Sequence, residues 1–297
     1  MKISNLETRQ IDQLAADYSG GKLNRRDFLS RLAVVTGSMA AAHLLLEKSG
    51  LAQMISQKEV AQAEKGTIRI SGEDVDFSQG EPKLGGYLAA PSGVGPFPGI
   101  VVIHENRGLN EHTRDVARRF AIEGFVALAP DALARRGGTA SMKTPEDART
   151  AIGTLTPQEM LSDLEVALQY LDARPNVRQG KLGSVGFCWG GARSFSLAAN
   201  SDITRAAVVF YGSAPPREEI ANVKIPVLGL YGETDTRITS LVPEVAAAMK
   251  AANNSFEYKI YPGAGHAFFN DTGERYDPLS AADAWARTVK FLRENLA

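Results

Sequence analysis

Thiol chemistry is nearly absent from this chain, which carries one cysteine, Cys188, in 297 residues. One cysteine cannot close an internal disulfide, and no CxxC or Cys/His metal spacing is present. Cys188 is therefore inert packing, a reactive thiol or a link to another chain. Charge of one sign is also scarce: 33 Lys and Arg against 34 Asp and Glu leave a formal net charge of −1. That removes the electrostatic case for nucleic acid or an anionic membrane surface as partner. Long hydrophobic runs are missing too. The uncharged stretch Leu32 to Leu46 has about 15 residues, short of the roughly 20 that a stable membrane span needs. No internal repeat, low-complexity tract or linker divides the chain beyond residue 65.

What is present is a globular composition, 44% hydrophobic and 23% charged, on a chain long enough to bury a large core. The first sixty residues stand apart. Asn24-Arg25-Arg26-Asp27-Phe28-Leu29-Ser30 precedes the weakly apolar run, and Ala61-Gln62-Ala63 follows. This arrangement is similar to a twin-arginine export signal with an A-x-A cleavage site, which implies a periplasmic or secreted protein and the export machinery as a partner. The alternative is a helical N-terminal extension retained in the cytoplasm, because a long segment precedes the arginine pair and Glu47-Lys48 closely follows the apolar run. Either way the chain divides into residues 1–63 and a catalytic domain of residues 64–297.

From Lys65 onward, short β-branched runs alternate with helical patterns, the signature of an α/β fold with a mainly parallel sheet covered on both faces. Eight strands are expected. Thr67–Ile70 and Leu84–Ala90 form an edge hairpin, and Gly99–His104, Phe125–Pro130, Lys181–Phe187, Ala206–Tyr211, Val227–Tyr231 and Glu257–Tyr261 follow. Helices are expected over Thr113–Glu123, Glu159–Ala173, Gly190–Ala199, Val242–Ala252 and Ala281–Leu296. The polar passage Asp131 to Pro157 reads as an excursion over the sheet.

Gly186-Phe187-Cys188-Trp189-Gly190-Gly191 occupies a strand-to-helix junction. A G-x-nucleophile-x-G turn there lifts its central side chain above the carboxyl edge of the sheet, and the helix N-terminus behind it favours a thiolate. Asp235 and His266 each lie just past a later strand, so nucleophile, acid and histidine come in the chain order of α/β-hydrolases, at the edge where parallel sheets place their sites. In these roles His266 takes and returns the thiol proton and Asp235 fixes the imidazole tautomer. The backbone N–H groups of Trp189 and Asn106 are the candidate oxyanion donors. The pair His104-Glu105 is not a zinc site, since HExxH is absent and the next histidine is His112. No metal and no cofactor are expected.

The ordered set HENRGL, APDALARR, GFCWGG, GETDTRI and GAGHAFF resembles the dienelactone hydrolase family of α/β-hydrolases over essentially residues 65–297, with cysteine at the elbow as in that family. The resemblance implies hydrolysis of a small ester or lactone by Cys188, Asp235 and His266 through a thioester. It also implies a role for Glu105: contacting the resting nucleophile, then swinging away so that the cysteine becomes a thiolate paired with histidine. It implies that Arg135 holds a substrate carboxylate. Where the family enzyme acting on dienelactone has a second carboxylate-binding arginine, this chain has Asn270, and Phe268 and Phe269 suggest an apolar wall. Specificity for dienelactone itself is thereby in question, with Arg107 and Arg237 as the other cations on the motif loops. Two readings compete with the hydrolase. One is a peroxide-reducing thiol protein, which would need a resolving thiol from elsewhere. The other is a binding module on a hydrolase scaffold.

Overall fold

The computed structural model describes residues 69–78 and 80–297, with Leu14 and Asp17 besides. The 1–63 segment with its twin-arginine motif, the division at 63/64 and the start of the expected strand at Thr67 lie outside the described residues.

Eight strands form one sheet in the order β1-β2-β4-β3-β5-β6-β7-β8. They are β1 (Ile70–Asp76), β2 (Gly85–Pro91), β3 (Phe97–Ile103), β4 (Val126–Pro130), β5 (Val177–Phe187), β6 (Thr204–Phe210), β7 (Val227–Gly232) and β8 (Phe256–Tyr261). Strands β1 and β2 pair antiparallel at one edge, and from β4 to β8 every pairing is parallel. The inner strands are near-continuous apolar runs, such as the wholly buried VALAP of β4, because helices cover both of their faces. Strand β1 lies later than expected, with polar residues along its exposed edge.

The helices are α1 (Glu111–Ile122), α2 (Pro145–Gly153), α3 (Pro157–Asp172), α4 (Trp189–Asn200), α5 (Arg217–Ile220), α6 (Thr236–Thr239), α7 (Val242–Ala251) and α8 (Pro278–Leu296). Helices α1 and α8 bury Val116, Phe120, Ala284 and Leu292 in one core layer. On the other face α3 contributes Met160, Leu164, Leu168 and Leu171, while α4 and α7 contribute Phe195 and Met249. Start signals are explicit: Thr156 accepts the Glu159 N–H while the Glu159 side chain accepts the Thr156 N–H, and Pro157 supplies a pre-set first turn. Thr144, Asp147 and Pro145 repeat this device at α2. The expected excursion after β4 therefore contains a helix, short and amphipathic with only Ala148 and Ile152 buried.

Candidate active site

The carboxyl ends of β3, β5, β6, β7 and β8 deliver the loops that meet at Cys188. Cys188 stands alone between β5 and α4 at φ 56°, ψ −115°, in left-handed territory that a side chain rarely occupies. Its N–H donates to the Phe210 carbonyl at 3.0 Å, which ties the turn to β6. The turn is possible only with small flanking residues: a Cβ on Gly186 would lie 1.9 Å from the Gly190 carbonyl oxygen.

The structure brings Cys188, His266 and Asp235 together. His266 Nε2 lies 3.0 Å from Cys188 Sγ, and His266 Nδ1 lies 2.5 Å from Asp235 Oδ2. A carboxylate only accepts, so Nδ1 carries the ring proton and Nε2 presents its lone pair to the thiol. Both side chains are largely shielded, at 16% and 8% exposure. The Tyr211 ring meets His266 edge-on, 5.0 Å between centroids.

Opposed influences act on the sulfur. Burial raises the Cys188 pKa most and the Glu105 carboxylate raises it further, while the Trp189 N–H, Arg237 and the Asn106 N–H pull it down. The net direction is upward. Proximity to the α4 N-terminus does not make a resting thiolate, because desolvation outweighs it. Both amides expected at an oxyanion therefore already act on the atom that would carry the reacting carbonyl.

Glu105 is engaged away from the sulfur. Its Oε1 accepts the Tyr211 hydroxyl at 3.1 Å and its Oε2 accepts the Asn270 amide N–H at 3.0 Å. Asn270, expected at the substrate, thus holds Glu105, and its own oxygen caps Thr272. Burial and then Glu105 push the Tyr211 phenol well up, so it stays a donor. Sequence reasoning missed Tyr211, which reads there as the last apolar residue of a strand. Its position at the same sheet edge as Cys188, followed by Gly212, was the available signal.

Two expected substrate contacts lie elsewhere. The Arg135 guanidinium grips Asp163 on α3, with Nε at 2.9 and 2.7 Å from the two carboxylate oxygens and Nη2 at 2.5 Å, so its fork is filled by the protein. Phe268 is fully buried, packed on Tyr211 and Tyr261, and forms core rather than a pocket wall. Phe269 likewise stacks on Phe187. Arg237 and Arg107 are exposed and have no ion-pair partner among the described residues. Of the other described histidines, His104 bonds Ala132 and Glu105 through its two ring nitrogens, and His112, on α1, bonds Asp271 through Nδ1.

A thiol facing an imidazole, an imidazole oriented by a carboxylate, and two amides that lower the thiol pKa are the parts of acyl transfer. The sequence pattern of the dienelactone hydrolase family matches residues 84–296. A Methylorubrum extorquens protein named by inference as a carboxymethylenebutenolidase is 31% identical over 278 residues, covering 90% of this chain and 93% of that protein. That coverage exceeds residues 64–297 alone, so the alignment runs into the N-terminal segment. A Bradyrhizobium protein, named by inference as a lactonase of 2-oxo-3-(5-oxofuran-2-ylidene)propanoate, is 33% identical over 77% of this chain and 96% of its own. A crystal structure from Klebsiella pneumoniae, titled by inference a dienelactone hydrolase, superposes with a TM-score of 0.70 at 33% identity, covering 76% of this chain and 99% of that one.

Proposed function

The chain belongs to the dienelactone hydrolase family, whose members are carboxylic ester and lactone hydrolases, and from that premise we propose that it works through a Cys-His-Asp triad and a thioester intermediate. The observation that carries this reading is the 3.0 Å approach of His266 Nε2 to Cys188 Sγ, with Asp235 behind the ring.

In the resting enzyme the thiol is protonated. On attack its proton passes to His266 Nε2 as Sγ bonds to the carbonyl carbon, so negative charge on sulfur never accumulates in the buried site. Asp235 stabilises the imidazolium and keeps its orientation. The N–H groups of Trp189 and Asn106 take the oxyanion. Collapse breaks the ester C–O bond, and His266 returns its proton to the departing oxygen, which in a lactone stays tethered to the acyl group. Water then attacks the thioester as His266 removes its proton, and the second collapse restores the thiol.

Substrate choice follows from where the cations are. The Arg135 fork is filled by Asp163 and position 270 is neutral, which favours esters and lactones that do not depend on a paired arginine clamp for a carboxylate. An anionic group on the substrate would find Arg237, whose charge already reaches the sulfur. The 1–63 segment fits export of the protein ahead of this catalytic unit.

The deciding experiment is ester turnover by Cys188→Ala. Loss of p-nitrophenyl acetate hydrolysis by at least ~1000-fold is expected for removal of a triad nucleophile. Wild-type rates in that variant would sink the assignment.

A further inference from the structure

His104 ends the β3 apolar run fully buried, with both ring nitrogens in use. The Ala132 N–H donates to Nε2 at 3.1 Å, so the ring proton sits on Nδ1, and Nδ1–H donates to the Glu105 carbonyl at 2.5 Å. Burial depresses the His104 pKa, so the ring stays neutral and this tautomer persists. The peptide from Glu105 to Asn106 is trans, and in a planar trans peptide the C=O and the N–H point in opposite directions. A carbonyl pinned on His104 therefore turns the Asn106 N–H the other way, and that N–H acts on Cys188 Sγ. The same imidazole stacks on the Trp189 indole, 5.7 Å between centroids at 16°, and Trp189 supplies the other amide.

We infer that His104 is a positioning residue for the oxyanion site: its Nδ1–H fixes the Glu105–Asn106 peptide so that the Asn106 N–H faces the carbonyl oxygen of a substrate on Cys188. The inference rests on Cys188 acting as an acyl-transfer nucleophile. Its Nε2 bond to Ala132, which joins the loop after β3 to the loop after β4, serves to hold the tautomer.

Two substitutions separate the two bonds. Asparagine at 104 places an amide N–H near the Nδ1 position and keeps the clamp on Glu105; glutamine places its amide near Nε2 and keeps an acceptor for Ala132. In the full chain, His104→Gln should lower kcat for p-nitrophenyl acetate by ~10- to 100-fold with KM nearly unchanged, short of the ~100- to 1000-fold that loss of a whole oxyanion donor costs. His104→Asn should stay within about threefold of wild type, because it retains that donor's aim. Iodoacetamide alkylation of Cys188 forms no oxyanion, and at its high-pH plateau, where the thiol is fully ionised, it should run at one rate in all three proteins. Wild-type kcat in His104→Gln, equal kcat losses in both variants, or plateau alkylation falling in step with acylation would each overturn the inference. A wild-type protein that alkylates at Cys188 yet hydrolyses no ester overturns the hydrolase reading and this one with it.

Discussion

At Cys188 two effects compete, and their balance decides the state of the thiol. Desolvation and the Glu105 charge push the thiol pKa up; two amide N–H groups and Arg237 push it down and lose. On the proposed mechanism the site keeps a neutral thiol and forms its ion pair with His266 only during attack, which avoids holding a buried thiolate at rest. Glu105 matters here through its charge, since Tyr211 and Asn270 occupy its oxygens. Glu105→Gln removes that charge while keeping the shape. Its alkylation rate by iodoacetamide, followed against pH, should rise at lower pH than in wild type, because a like charge no longer opposes the thiolate. An unchanged or upward-shifted profile would show that Glu105 does not set the thiol. These contacts were not legible in the sequence. Asn270 is recognisable there as a departure from the family's arginine, but only folding reveals that its amide meets Glu105, and nothing local distinguishes the Arg135 that grips Asp163 from one that grips substrate.

The element that carries His266 and Asn270, the loop from β8 to α8, is held from outside the site. Asp271 accepts from His112 Nδ1 at 3.1 Å and pairs with Arg119, both on α1, and Arg119 also reaches Asp115 at 2.5 Å. Burial alone would raise the Asp271 pKa, but the His112 hydrogen bond and the Arg119 charge overrule it and hold the carboxyl well below the usual range. A folded pKa below the unfolded one means stability that is full above the unfolded pKa and is lost as pH falls toward the folded one. Asp271→Asn should therefore lower stability at pH 7 by about 3 kcal/mol, the scale for removing one partner of a buried pair. The gap to wild type should narrow below about pH 4, where the wild-type carboxyl begins to lose its advantage. Denaturant melts at the two pH values measure it, and a gap that stays constant with pH would refute the assignment. The loop's place after β8 was readable from GAGHAFF, but its anchor was not: Arg119 and His112 lie some 150 residues earlier, on a helix whose pattern reports only its apolar face. Phe268 differs for a related reason, since an aromatic two residues past a candidate histidine reads as pocket wall until folding packs it on Tyr211 and Tyr261.

Across the whole molecule, the architecture was the most legible part, because buried parallel strands are apolar runs, and runs separated by capped amphipathic helices leave few topologies. Strand order puts β5 at the centre with β3 and β6 beside it, which is why residues as distant in sequence as Glu105, Cys188 and Tyr211 share one edge. The short helix α2 escaped notice because its nine residues bury only two side chains, although Thr144, Pro145 and Asp147 spell its start. Every strand of the sheet and every residue assigned to the chemistry lies within 69–297. Cleavage after Ala63, as an export signal would require, thus removes none of them. A chain beginning at residue 64 should fold with the same far-ultraviolet circular dichroism per residue, allowing for the missing segment, and should hydrolyse p-nitrophenyl acetate with kcat within about threefold of the full chain, as removal of residues outside the triad and its amides predicts. A soluble, folded but inactive product would instead make the first 63 residues part of the working enzyme, and sequencing the N-terminus of the mature protein would then be expected to find them still attached.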